Sequence, residues 1–295
     1  MLLKNHTIIT QEIVTQQTQA QQIALYMLRL DLLHEVVSGN KLFKLQFFLA
    51  AALATPEKTI VTFGGAYSNH LVATAFACDQ LGLKCIGLVR GEKPRTLSHS
   101  LQYCETLNMQ LVYLSREDYQ QQASTGITNY KGTIVPEGGY HPLGARGAAA
   151  IMQQFPSLQP THIITATGTA TTLAGLLMNK TIDQTIIAVP VIKNMIDLEA
   201  RLLYLTQSSS LPNYEVWPDA HEGGYAKHTP ALIGFMNDFY SSSNIPTDVV
   251  YTGKMMKAVM HKIETRTFAA GSKILCIHTG GLQGNLSFDA NTFIF

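Results

Sequence analysis

The chain is short of charge and has no excess of either sign. Only 14% of its 295 residues are Asp, Glu, Lys or Arg, and 21 basic against 20 acidic side chains leave a formal net charge of +1. No basic stripe with interleaved aromatics offsets that balance, so a nucleic-acid partner is excluded. Cysteine is scarce: Cys78, Cys85, Cys104 and Cys276 form no C-x-x-C pair. That spacing offers neither a zinc knuckle nor a redox motif, and free buried thiols in a reducing compartment are expected, with no bound metal. Long apolar runs are missing too, each being interrupted well before the roughly 18 residues of a membrane span. The opening "MLLKNHTIITQEIVTQQ" lacks the charged and apolar regions of a signal peptide. These absences describe a soluble, cytoplasmic protein that meets neither membrane nor nucleic acid. No internal repeat and no long linker interrupts it.

What is present is a large hydrophobic fraction, 46%, which suits a well-buried enzyme and argues against disorder. The length exceeds a comfortable single core, so one large or two modest domains are expected. From Lys58 onward, short β-branched runs alternate with longer helical ones. Strands are predicted at "TIVTFGG", "KCIGLVRG", "MQLVYLS", "TIVPEGG", "HIITAT", "TIIAVPVI", "DVVYTG" and "KILCIHTGG". Helices are predicted at "SNHLVATAFACDQLGL", "TLSHSLQYCETLN", "GARGAAAIMQQF", "TTLAGLLMNK", "MIDLEARLLYLTQ" and "KMMKAVMHKIETRT". Strands spaced by helices imply right-handed β-α-β crossovers and parallel sheets covered on both faces. The fold class is α/β. Residues 208–246 are turn-rich and only partly periodic, which reads as a long functional loop.

Open parallel sheets bind ligands beyond the carboxyl ends of their strands. Three loops at such ends stand out. In "GGAYSNH" (64–70) two glycines allow a sharp turn, and Ser68, Asn69 and His70 follow at a helix N-terminus; an ordinary helix cap accounts for them equally well. In "TATGTATTLAG" (165–175) Gly168, Thr169, Ala170, Thr171 and Thr172 lead into a helix and form an anion pocket of N–H groups and hydroxyls. It has neither the lysine of a nucleotide P-loop nor a dinucleotide fingerprint, so a monophosphate cofactor fits better. In "HTGG" (278–281) glycines permit close approach to something flat, or simply end a strand.

The fourth feature is Lys41, which follows a Gly-Asn corner in "SGNKLFKLQFF" (38–48), with Lys44 one turn later. Lysines ordinarily sit on solvated faces or snorkel from half-buried helices. In a partly apolar cleft, however, the ammonium form is disfavoured and the amine becomes nucleophilic. Beside a monophosphate pocket, that points to a Schiff-base lysine for pyridoxal 5'-phosphate.

Taken in order, "SGNKLFKL", "FGGAYSNHLVATA", "PEGGYHPLGARG", "ATGTATTLAGL", "VVYTGKMM" and "HTGG" resemble the 1-aminocyclopropane-1-carboxylate (ACC) deaminase / D-cysteine desulfhydrase family across nearly the whole chain. The resemblance implies a two-domain, tryptophan-synthase-β-like fold (fold type II), each domain a largely parallel sheet flanked by helices. It implies a small domain over 44–146, a large domain from 1–43 and 147–295, and a homodimer. It further implies that Lys41 forms the Schiff base, that Asn69 meets the cofactor's 3-oxygen, and that loop 168–172 cradles its phosphate. Tyr251 should face the ring with Thr252 at its nitrogen. Ser68, Asn69, His70, Lys44 and Thr279 belong to the substrate side, and Tyr225 matches a second active-site tyrosine. Three stretches depart from the family pattern: "LRLDLLHE" (28–35) has leucines in place of two usual charges, Phe43 replaces a frequent arginine, and Ala170 and Thr171 stand where glycines are common.

Thr252 and Thr279 bear on the substrate. ACC deaminases of the family carry Glu and Leu there, and S-N-Q rather than "SNH". A carboxylate at the pyridine nitrogen favours a protonated, strongly electron-withdrawing ring suited to opening a cyclopropane. A neutral hydroxyl is expected to leave the ring less electron-withdrawing, which suffices when a thiolate leaves. The resemblance therefore implies a D-cysteine desulfhydrase releasing pyruvate, sulfide and ammonia. ACC deamination is the enzymatic alternative, and a degenerate cofactor-binding protein the non-enzymatic one.

Overall fold

The computed structural model describes residues 8–34, 37 and 39–295. Glu35 at the end of "LRLDLLHE" and Ser38 at the head of "SGNKLFKL" lie outside the described residues, as do 1–7 of the N-terminal stretch. In chain order the elements are β1 (Thr10–Ile13), α1 (Gln16–Ala20), β2 (Ala24–Leu28), α2 (Lys41–Leu53), β3 (Thr59–Gly64), α3 (Asn69–Leu81), β4 (Lys84–Arg90), α4 (His99–Thr106), β5 (Gln110–Leu114), α5 (Arg116–Thr125) and β6 (Thr133–Val135). They continue with α6 (Pro142–Ala149), β7 (His162–Thr167), α7 (Thr171–Met178), β8 (Thr185–Pro190), α8 (Leu198–Thr206), β9 (Tyr214–Val216), α9 (Pro230–Ser243), α10 (Thr252–Glu264) and β10 (Lys273–Ile277).

Two sheets result. Four strands in the order β5-β4-β3-β6 form one, and six in the order β1-β2-β10-β7-β8-β9 form the other. Every pairing is parallel except that of β1 with β2. The α/β expectation therefore holds. Period-2 alternation explains how each sheet is covered twice. On the six-stranded sheet Ile163, Ile186 and Leu275 point into one core, with α6, α7 and α8. Their neighbours Ile164, Ile187 and Cys276 point into the opposite core, with α10. On the four-stranded sheet Ile60 and Val89 face α2 and α3, whereas Val61, Phe63 and Leu88 face Tyr119 of α5.

Helix α2 belongs to both halves. Leu42, Leu45, Phe48, Leu49 and Ala52 enter the core of the four-stranded sheet, while Phe43 enters that of the six-stranded one beside Ala145 and Ala148. A Cβ on Gly147 would run into the Phe43 carbonyl, so α6 packs on α2 backbone to backbone. Phe43, at a position where the resembling family often has arginine, is a core residue here.

Two segments differ from the sequence reading. "DVVYTG" is not a strand: residues 249–251 turn, and Thr252 starts α10. The cause is Asp248, whose carboxylate accepts from the N–H groups of Val250, Tyr251 and Thr252 at 3.0, 2.9 and 2.8 Å and so seeds a helix start. Within 208–246, the 14-residue α9 replaces much of the expected loop. Thr229 caps it, accepting from Leu232 N–H at 3.1 Å, and Pro230 occupies its first turn. No described helix is long and apolar enough to cross a membrane.

Candidate active site

Lys41 opens α2 at the seam between the two cores. The corner before it is built on Gly39, whose φ of +83° lies in the left-handed region. Gly39 N–H donates to the Leu30 carbonyl at 2.7 Å, and Asn40 N–H to the Thr279 carbonyl at 3.3 Å. The Asn40 side chain then works in both directions. Its Nδ2 donates to Thr172 Oγ1 at 2.6 Å, and its Oδ1 accepts from Lys41 Nζ at 2.7 Å. The amine is thus tied to the first turn of α7. Burial lowers the Lys41 pKa to about 8, although the Asp248 carboxylate pulls it back up in part. Lys44 is buried and sits well below the ordinary lysine value, first through desolvation and then through the Lys41 charge. Its Nζ donates to the Gly138 carbonyl at 3.3 Å.

A cavity lies against these groups, bounded by Lys41, Lys44, Gly138, loop 168–172, Tyr251 and Thr279. Loop 168–172 leads from β7 into α7, whose first N–H groups have no intrahelical acceptor. Thr169 and Thr171 hydroxyls meet at 2.9 Å. Ala170 holds a left-handed backbone, φ +65° and ψ −3°, at a cost of about 1 kcal/mol that glycine would avoid. That conformation is the physical reason glycine suits this position.

Ser68 caps α3, its Oγ accepting from Leu71 N–H at 3.2 Å. Asn69 Nδ2 lies 3.5 Å from the Gly281 carbonyl, and Asn69 Oδ1 is buried with no partner. His70 is turned away from the cavity. Its Nε2 is 2.9 Å from Thr62 Oγ1, whose own hydrogen goes to the Val135 carbonyl at 2.9 Å. Nε2 must therefore be the donor, which leaves Nδ1 a bare, buried acceptor. Burial, reinforced by the Lys41 and Lys44 charges, drops its pKa to about 3 and keeps it neutral.

On the far wall, the Lys41 Nζ lies 6.0 Å from the centroid of the Tyr251 ring. Tyr251 Oη is 3.4 Å from that of the exposed Tyr225. Burial, and then Tyr225, raise the Tyr251 pKa well above its usual value, so the phenol keeps its proton. Thr252 is fully buried behind Tyr251, bonded to Asp248 rather than lining the cavity.

Two residues went unnoticed in the sequence. Asp248 is a buried carboxylate whose charge reaches Lys41; it was hidden inside an apparent strand. Lys254, 1% exposed, donates to the carbonyls of His221 at 2.9 Å and Gly224 at 2.7 Å. It holds the Tyr225 segment against α10. Replacing it by methionine is expected to speed amide exchange over 221–227 by about tenfold or more, with the body of α10 unchanged. Equal exchange in both proteins would remove this role.

Fold and site together define an α/β protein in which a desolvated lysine borders a cavity closed on one side by a helix N-terminus. The profile of the "Pyridoxal-phosphate dependent enzyme" family matches residues 10–280, and the chain belongs to that family, as a lyase dependent on pyridoxal phosphate. Among curated relatives, a D-cysteine desulfhydrase of Salmonella choleraesuis (strain SC-B67) is 29% identical over 283 residues, covering 87% of this chain and 86% of the relative. Among solved structures, an ACC deaminase homologue superposes with a TM-score of 0.79 at 24% identity, over 96% of this chain and 92% of that one. A fungal L-serine ammonia-lyase from Rhizomucor miehei gives 0.65 at 15% identity, with 94% of each chain covered. Those likenesses carry the fold, which is fold type II. The residues present fit the cofactor: an amine of lowered pKa, a hydroxyl-lined helix start, and an orphaned amide oxygen at Asn69.

Proposed function

We propose that this chain is a D-cysteine desulfhydrase, eliminating sulfide from D-cysteine and releasing aminoacrylate, which water hydrolyses to pyruvate and ammonia. The observation that carries the reading is the Lys41 amine, desolvated and held by Asn40 at the edge of the cavity. The likeness to a D-cysteine desulfhydrase, over most of both chains, supports the substrate. Pyridoxal phosphate, when bound, makes the α-proton of an attached amino acid acidic. Lys41 would hold the cofactor covalently through Nζ and, as the free amine, take the α-proton. Gly168, Thr169, Ala170, Thr171 and Thr172 would bind the phosphate and Asn69 the 3-oxygen, whereas Thr252 stays behind Tyr251, bonded to Asp248. Lys44, Ser68 and Asn69 would orient the substrate carboxylate, with Thr279 closing that side. His70 would stiffen the Ser68 loop from behind. Tyr251, which keeps its proton, would donate it to the leaving sulfur with Tyr225 alongside.

The same proposal takes 44–146 as a small domain and the rest as a large one, acting as a cytoplasmic homodimer. The separate sheets support the division, although its boundary at 44 falls within α2.

Sulfide and pyruvate should appear in equal amounts from D-cysteine with cofactor-loaded protein. Release of 2-oxobutanoate from ACC, with no sulfide from D-cysteine, would overturn the reading in favour of ACC deamination; neither product, despite bound cofactor, would favour a degenerate binder. The exchange Thr252→Glu with Thr279→Leu, suggested by the family pattern, meets an obstacle. A carboxylate at 252 would face Asp248, 2.6 Å from the present hydroxyl. The pair is therefore expected to lower stability by about 2 kcal/mol or more, a loss that Asp248→Asn should largely restore in thermal melts.

Lys41 also sets a pH dependence. Its neutral amine is the reactive form and becomes half-populated near pH 8 rather than 10.5. The rate at which apoprotein takes up pyridoxal phosphate, followed by absorbance, should climb through about pH 8. A midpoint above 10 would mean that the amine is open to water.

A further inference from the structure

A second cleft, of about 1290 Å³, lies between α5 of the four-stranded half and Tyr204 of α8. It shares no lining residue with the cavity at Lys41. Arg90 at the end of β4 and Arg116 at the start of α5 form one wall. Their backbones are neighbours: Arg90 pairs in register with Leu114, whose carbonyl accepts from Gly91 N–H at 2.8 Å. Arg29 and Arg201 are ion-paired, but among the described residues neither Arg90 nor Arg116 has a carboxylate partner. No acid lines the cleft. The acids nearest in sequence are engaged elsewhere, since Glu137 accepts from Tyr119 Oη at 2.8 Å and Asp118 from Ser115 Oγ at 2.7 Å.

The other walls are aromatic and apolar. The Tyr140 and Tyr204 rings lie 5.4 Å apart, braced by the Arg201 guanidinium 5.6 Å from the Tyr140 ring. Ile134 and Pro136 add apolar surface. His141 supplies a further donor. Its Nδ1 accepts from Leu143 N–H at 3.1 Å, which puts the ring hydrogen on Nε2, and burial lowers its pKa so that the ring is neutral at pH 7. We propose that this cleft is a second ligand site. It takes a small organic acid, its carboxylate or phosphate between Arg90 and Arg116 and its flat apolar body against Tyr140 and Tyr204. Unpaired guanidiniums bind an oxyanion through charge-assisted hydrogen bonds, and aromatic faces cover the body. The space exceeds what a single small amino acid fills. The inference goes beyond the reaction proposed above and does not depend on its substrate.

The test uses protein loaded with pyridoxal phosphate, so that the Lys41 cavity is filled. Crystals are soaked in para-iodobenzoate or para-iodophenyl phosphate, and the iodine is located by its anomalous signal. A peak in the cleft is expected from at least one of the two, and which one gives it distinguishes carboxylate from phosphate. In calorimetric titration with that acid, Arg90→Gln and Arg116→Gln should each weaken binding by about tenfold or more. Both arginines are exposed, so these variants should melt as the parent does. Arg266→Gln, which removes a charge outside the cleft, should bind as the parent does. Iodine found only elsewhere, unchanged affinity in both cleft variants, or an equal loss in Arg266→Gln would each overturn the proposal.

Discussion

Lys41→Ala is expected to cut pyruvate and sulfide release from D-cysteine by about 10³-fold or more, in a protein that remains folded. The argument has two sides. Chemically, among the described residues Lys41 is the amine bound by Asn40 at the cavity edge, whereas Lys44 donates to the Gly138 carbonyl instead. Energetically, the side chain is a cost to the fold. Burial lowers its pKa from 10.5 to about 8, so between those values the unfolded chain binds a proton that the folded chain has released. Stability contributed by this group therefore rises with pH across the window, and at pH 7 the penalty is present in full, up to on the order of 3 kcal/mol. The alanine variant loses the Asn40 hydrogen bond but escapes that penalty. It should melt no lower than the parent at pH 7, with any advantage fading towards pH 10.5. Retained turnover would remove Lys41 from the chemistry, and a collapsed melting curve would show that the lysine is structural.

Gly39→Ala is expected to destabilise the protein by about 3–5 kcal/mol and to abolish cofactor retention. Two costs coincide there. A side chain at φ +83° is strained, and a Cβ would be forced into the Thr279 carbonyl. The Asn40 N–H bond to that same carbonyl would break, and with it the support of the amine. Urea unfolding and cofactor absorbance after dialysis read the two effects separately. A variant with parental stability would show that the corner has room to move.

Much of this site was legible in the sequence because its parts are local. The Gly-Asn-Lys corner, the hydroxyl-rich approach to α7 and the Ser68 cap are set by residues adjacent in the chain, and glycine beside small polar residues marks them. The parallel sheets were legible for a related reason: β3 is buried at every position and reads as a β-branched and apolar run with no charged residue. What stayed hidden depends on contacts distant in sequence. Val249, Val250 and Tyr251 look like a strand until the Asp248 carboxylate takes three successive N–H groups. Lys254 resembles a surface lysine on a helix until its carbonyl partners, some 30 residues earlier, close over it. His70 was placed on the substrate side by its neighbours in the motif, yet Thr62 on β3 turns its ring inward. The leucines of "LRLDLLHE" suggested lost charge, but Arg29 and Asp31 remain as a buried pair at 2.7 Å.

The double membership of α2 limits how such a protein could be rearranged. A helix that places Phe43 in one core and Leu42, Leu45 and Phe48 in the other cannot be assigned to a single exchangeable module. A break within it would leave each half with an unfilled interior and separate the amine from its seat. The two sheets have to be inherited together.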